Sequence, residues 1–176
     1  MADLVNLVVD TREQEGYTFP PRRFLVERHA LPAGDYSLAG LEHEVAVERK
    51  TAEDFVHTVI RDRDRFRKEL LKLAEYDRAC VVVEAGLDDL LSGAYRSGAH
   101  PSSVVGAALS IIVDYGVPVY FCSDRQCARR FVEEYLLRCH RSYHDSCQQQ
   151  QQNKPESGER SSESSFHPPT SLPDDS

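Results

Sequence analysis

Four side chains in the first fifty residues could do chemistry together. Residues 44–49 read as a strand in which Val45 and Val47 alternate with Ala46 and Glu48, and Lys50 follows in the same alternation. Side chains two apart on a strand share a face, so Glu48 and Lys50 project together while the valines face a core. Asp35 follows Gly34 on what should be the neighbouring strand, and Asp10 ends the first apolar run of the chain. Carboxylates crowded at one sheet edge repel, and one of them raises its pKa unless a cation joins them. Hard oxygen donors suit magnesium or manganese. A lysine beside such a metal is not a ligand, but it can orient water or stabilise negative charge developing on a phosphate. Each residue alone has a plainer reading. Glu48 and Lys50 would be a solvated strand face, Asp35 a turn residue after glycine, and Asp10 a cap on the following turn.

Further charges lie downstream. Thr51-Ala52-Glu53-Asp54 has the spacing of a capping box, which favours a capping role for Asp54. Arg61, Arg63, Arg65 and Lys68 form the most basic stretch. They are either a solvated helix face paired with Asp62, Asp64 and Glu69, or a patch that tracks phosphates, with Arg65 the first choice. Cys139, His140, His144 and Cys147 have zinc-ligating side chains, but their spacing is irregular.

Gly34-Asp35, then Glu48-Arg49-Lys50 and Asp54, resembles the nuclease motif of the XPF/Rad family of structure-specific DNA endonucleases. Val9-Asp10-Thr11-Arg12-Glu13 resembles that family's opening motif, and the likeness covers residues 5–85 best. The resemblance implies a restriction-endonuclease-like α/β fold. It also implies metal-dependent hydrolysis of DNA, with Asp35 and Glu48 as ligands of Mg2+ or Mn2+ and Asp10 as an additional one. Lys50 is then the electrostatic catalyst, and Arg12, Glu13 and Arg49 belong to the site. Whether these three contact phosphate or form a salt-bridge scaffold, Arg49 with Glu13 or Arg12 with Glu48, stays open. Branched or flapped DNA is the implied substrate, and a homodimer through the second half of the domain the implied assembly. Members usually carry tandem helix-hairpin-helix modules after this domain, and some a helicase domain before it. Neither is read in this sequence, so junction specificity is expected to need a partner protein or second subunit. Two rivals are a non-catalytic DNA-binding or scaffolding subunit, and another nuclease of the same fold such as a junction resolvase or repair exonuclease. The presence of every acid and the lysine argues against the first.

The 176 residues suffice for one domain, and 40% hydrophobic content is compatible with a core. No apolar run reaches the roughly 18 residues of a membrane span, and no signal peptide is read. Five cysteines without a C-x-x-C pair point to reduced thiols. The expected location is cytoplasmic, at the nucleoid in a bacterium or in the nucleus of a eukaryote. Net charge is −8, and residues 1–142 hold 19 Lys and Arg against 23 Asp and Glu, so DNA affinity should be modest and metal-dependent.

The elements that must position these groups follow from periodicity. Residues 4–10, 36–38, 44–49, 79–84 and 117–122 read as strands, with a strand piece at 29–32 and a short helix at 24–28. A helix begins at Thr51, and another carries Phe66, Leu70 and Leu73 inward. Residues 87–91 form a helical turn, and residues 104–113 are apolar nearly all round. Such a segment should bury one face inside and another against a partner. A last helix, capped by Ser123 or Asp124, presents Ala128, Phe131, Val132, Tyr135 and Leu136. Strands alternating with helices predict a central mixed sheet flanked by helices. From residue 143 the glutamine-, serine- and proline-rich composition predicts a disordered tail over 143–176.

Overall fold

A computed structural model describes residues 4–152. Six strands form one mixed sheet in the order β2-β1-β3-β4-β5-β6. They are β1 (Val5–Asp10), β2 (Phe24–His29), β3 (Tyr36–Leu38), β4 (Val45–Thr51), β5 (Arg78–Glu84) and β6 (Val119–Phe121). β2 and β1 are parallel, β3 runs antiparallel to both β1 and β4, and β4, β5 and β6 are parallel. The helices are α1 (Ala52–Arg61), α2 (Arg63–Leu73), α3 (Leu87–Ser92), α4 (Pro101–Tyr115) and α5 (Arg125–Gln152).

The period-2 pattern of the strands splits the interior into two layers. Val5, Leu7, Val9, Tyr36, Val45 and Val47 pack with Ala128, Val132, Leu136 and Cys139 of α5. Ala46, Val81 and Val83 pack on the other face against Phe55 and Val56 of α1, Phe66, Leu70 and Leu73 of α2, and Val104, Ala108 and Ile111 of α4. β4 feeds both layers. Its odd residues face α5, and its even residues face the α1–α2 side, where Glu48 and Lys50 emerge.

The expected helix at 24–28 is a strand. Phe24–His29 pairs in parallel with all of β1, from Val5 against Phe24 to Asp10 against His29. Only Phe24 is buried, so a helix there would have buried little. Strand pairing instead satisfies the open backbone edge of β1. The strand piece expected at 29–32 also fails beyond His29, because the backbone of Leu31 bonds to side chains: its N–H donates to Asp10 and its carbonyl accepts from Arg12.

Thr51 caps α1 by accepting from the Asp54 N–H, as the capping-box spacing predicts. Asp124 caps α5 by accepting from the Cys127 N–H at 2.7 Å. α4 buries Val104, Ala108 and Ile111 but leaves Leu109, Ile112 and Val113 exposed, Val113 by 76%. α5 continues past 142 to Gln152, so the expected disorder does not hold for residues 143–152. Glutamine is a good helix former even where it has no core to join, and Tyr143 packs on the α5 layer and donates to Asp77. The rest of that expected tail lies outside the described residues. Among the described residues, no helix is long and apolar enough to cross a membrane. Cys139 is buried in the α5 layer, while the His140 and His144 rings stack at 6.3 Å, and no zinc-type cluster forms among the described residues.

Candidate active site

β1, β3 and β4 lie side by side, and their register decides the site. Val9 pairs with Tyr36 and Tyr36 with Val47. One residue further, Asp10 falls beside Asp35, and Asp35 beside Glu48, all on the face opposite Tyr36. The Asp10 N–H donates to the Asp35 carbonyl at 2.9 Å, and the Asp35 N–H to the Val47 carbonyl at 2.8 Å. Gly34 allows this approach. It holds φ at +74°, and a Cβ there would lie 3.0 Å from the Val47 carbonyl oxygen. Any side chain at 34 would therefore strain the backbone and push Asp35 away from β4.

Asp35, Glu48 and Lys50 line a cavity of about 710 Å3, which Arg12, Glu13 and Arg49 also border. Asp35 Oδ2 accepts from the Arg49 N–H at 2.7 Å. Lys50 Nζ lies 2.7 Å from Glu48 Oε1, and both side chains are 12% exposed. The ammonium also sits 5.3 Å from the centre of the Phe66 ring, a cation–π contact that seats Lys50 against α2. Burial, then the charge of Glu48, push the Asp35 carboxyl well above its ordinary range. Burial also raises Glu48, against the opposing pull of Lys50. Burial alone would lower Lys50, but its pairing with Glu48 outweighs that and leaves it raised.

Asp10 departs from expectation. Its carboxylate is almost fully buried and does not line the cavity. Oδ1 accepts from the Arg12 N–H and Nε, each at 2.7 Å, and Oδ2 accepts from Arg12 Nη2 at 2.9 Å and the Leu31 N–H at 2.6 Å. Burial raises its pKa, but the bonds from Arg12 and Leu31 prevail and hold it at about 2. No group of three metal-ligating side chains assembles among the described residues. In this structure the oxygens of Asp10 are engaged by the turn that follows β1, and Asp35 and Glu48 are the two expected carboxylates that line the cavity.

Arg49 points to the opposite face. It donates to Glu84 through Nε at 2.8 Å and Nη2 at 3.2 Å, and to Glu13 through Nη1 at 3.3 Å. Arg125 reaches the same Glu84 at 3.0 Å from the start of α5. Of the two scaffold pairs expected, Arg49 with Glu13 forms. Arg12 pairs with Asp10 rather than Glu48. Glu84 was not anticipated. Its only sequence signal is an acid at the end of an otherwise apolar strand, opposite Thr51 in the β4–β5 register.

The four expected phosphate contacts do not form one patch. Arg65 lines the carboxylate cavity. Arg61 borders a different pocket beside Tyr95 and Arg96. Arg63 donates to the Val59 carbonyl and faces a groove against α4. Lys68 lies on the exposed back of α2. His57, Glu69 and Lys72, which sequence reasoning passed over, do line the cavity.

Whether the site suits a divalent metal turns on Asp35 and Glu48. Both are oxygen donors on one sheet face, and both have raised pKa values because burial and crowding penalise their charges. A dication would remove that penalty, which one ammonium paired to Glu48 only partly does. The donors fit Mg2+ or Mn2+ in kind.

Comparison with known proteins decides the family. The description "ERCC4 domain" matches residues 9–135. The chain belongs to the ERCC4-domain family. Over 122 residues it is 34% identical to a Methanocaldococcus jannaschii protein provisionally named an ATP-dependent RNA helicase. That match covers 69% of this chain but 14% of the relative, so this chain spans a small part of that protein's length. XPF from Aeropyrum pernix matches with a TM-score of 0.60 at 24% identity, over 82% of this chain and 70% of that one. A structure titled as the same XPF in complex with DNA matches with a TM-score of 0.60 at 26% identity, over 78% and 66%. This chain thus has the XPF-type, restriction-endonuclease-like fold and is a nuclease-type domain.

Proposed function

We propose that this domain is a metal-dependent endodeoxyribonuclease that hydrolyses phosphodiester bonds in branched or flapped DNA, at single-strand/double-strand junctions met in repair or recombination. The observation that carries the reading is the convergence of Asp35, Glu48 and Lys50 on one cavity, on neighbouring strands of one sheet face. The DNA-bound XPF structure among the matches supports DNA as the partner.

Asp35 and Glu48 would hold Mg2+ or Mn2+, which when bound supplies charge neutralisation and activation of water for in-line displacement. The remaining work falls to the protein's own groups. Lys50, fixed by Glu48 and Phe66, places a cation where charge develops on the phosphate. Asp10 and Arg12 hold the turn after β1 against Leu31. Arg49, Glu13 and Glu84 brace β4 from the far face, and the Arg49 N–H orients Asp35. Arg65, the one member of the basic stretch that lines the cavity, would meet a phosphate there. The apolar face of α4 left open at Leu109, Ile112 and Val113 supports a homodimer.

The test is cleavage of a panel of flap, fork, splayed-arm and four-way substrates with Mg2+, with Mn2+ and with chelator. Metal-dependent cutting near a junction supports the reading. DNA binding without cleavage under every metal would instead identify a non-catalytic subunit.

A further inference from the structure

We infer that Lys72, together with Arg65, forms a two-cation lip on α2 that contacts the backbone phosphates of the DNA strand entering the carboxylate cavity. This rests on the proposed nuclease reading and adds a contact residue to it.

The argument starts from helix geometry. Successive residues turn by about 100°. On α2, Phe66, Leu70 and Leu73 are buried and define the inward stripe. Arg65, Glu69 and Lys72 fall at i, i+4 and i+7, a second stripe on the adjacent flank, and all three line the cavity. Arg63 and Arg67 fall on the opposite flank and line the groove against α4. Lys68 points away from the buried stripe. A basic stretch that is compact in sequence is thus distributed around the helix, and one flank alone delivers cations to the site.

Phe66 fixes where that flank stands. Its ring is buried and in contact range of Lys50, so α2 cannot roll without disturbing the Lys50–Glu48 pair. Lys72 lies seven positions after Arg65, about 10 Å along the axis. That span exceeds the roughly 3.4 Å axial rise per phosphate of one duplex strand, so the two cations meet different phosphates. The other cations at the cavity are engaged, Arg12 by Asp10, Lys50 by Glu48 and Arg65 by Glu69, while Lys72 takes part in none of these pairs and is exposed. The Arg65–Glu69 pair is 3.5 Å long, and Arg65 is 74% exposed. Such a pair contributes little in water, so a phosphate offering charge-assisted bonds displaces it readily. In a domain with excess acid, these two positions give a polyanion a way past Asp35 and Glu48.

The experiment measures binding of a fluorescent flap DNA across a salt series, with Ca2+ replacing Mg2+ to keep the DNA intact. The proteins are wild type, Lys72→Ala, Lys72→Arg and Lys68→Ala, each with its melting temperature recorded. Lys72→Ala should reduce the slope of log K against log salt by about one unit, Lys72→Arg should restore it, and Lys68→Ala should match wild type. A wild-type slope for Lys72→Ala, or an equal loss for Lys68→Ala, overturns the inference while leaving the nuclease reading intact. Wild type that fails to bind DNA at all overturns both.

Discussion

Asp10→Asn separates a structural carboxylate from a metal ligand. Four hydrogen bonds of 2.6–2.9 Å converge on this group, two from Arg12 side-chain nitrogens and two from backbone N–H groups. They hold its pKa at about 2 against an ordinary 3.8. At about 1.4 kcal/mol per unit, the charged form stabilises the fold by about 2 kcal/mol. This is an upper value, since Arg12 is largely exposed and its share is screened. Asparagine keeps one acceptor but loses the charge and turns an NH2 group towards donors. In a chain of this size, 1 kcal/mol moves the melting temperature by about 2–4 °C, so the variant should melt about 4–8 °C lower. The group's pKa is depressed, so its stabilisation is complete above the ordinary value and is lost as pH falls through the folded one. The gap between wild type and variant should therefore be constant from pH 7 to about 5 and close between about pH 4 and 2. The assay is thermal melting over that range, repeated with and without Mn2+. The metal-induced rise in melting temperature should survive the substitution. An unchanged metal-free melting temperature combined with loss of the metal-induced rise would refute the reasoning and make Asp10 a ligand.

Other outcomes follow from the same geometry. Asp35→Asn removes one of two crowded carboxylates, so in metal-free protein it should be neutral or stabilising by thermal melting, and it should abolish the Mn2+-induced rise; a substantially lower metal-free melting temperature would contradict this. Glu84→Gln leaves Arg49 buried with a weakened partner and should destabilise by about 2–3 kcal/mol in urea unfolding; a change below about 0.5 kcal/mol would show that the brace is unimportant. Val113→Lys places a charge on the open apolar face of α4 and should shift sedimentation towards monomer at micromolar concentration; identical sedimentation would place any dimer interface elsewhere.

Much of the site was legible because its information is local. The alternation of Val45, Val47, Glu48 and Lys50 specifies which side chains share a face, and Gly34 marks the approach that brings Asp35 alongside. Thr51 and Asp54 announce the start of α1 within four residues. What escaped depends on partners distant in sequence. Asp10 is bonded by Arg12, two residues on, which the reading of a turn cap allows, and by the backbone of Leu31, 21 residues on, which no pattern near Asp10 signals. Phe24, Leu25 and Val26 are too short an apolar run to distinguish helix from strand, and the open edge of β1 decided it. The basic stretch is a line in sequence, whereas it crosses from α1 at Arg61 into α2, which turns Arg63, Arg65 and Lys68 onto three faces. Residues 143–152 have helix propensity, and they continue α5.

The measurement closest to the central claim is the single-turnover cleavage rate of Lys50→Ala at saturating flap DNA and Mg2+, paired with its Mn2+-induced melting shift. Lysine is assigned as an electrostatic catalyst and not a ligand, so cleavage should slow by roughly 10²–10³ while the melting shift matches wild type. Cleavage at the wild-type rate, or cleavage by wild type that persists in excess chelator, would contradict the account.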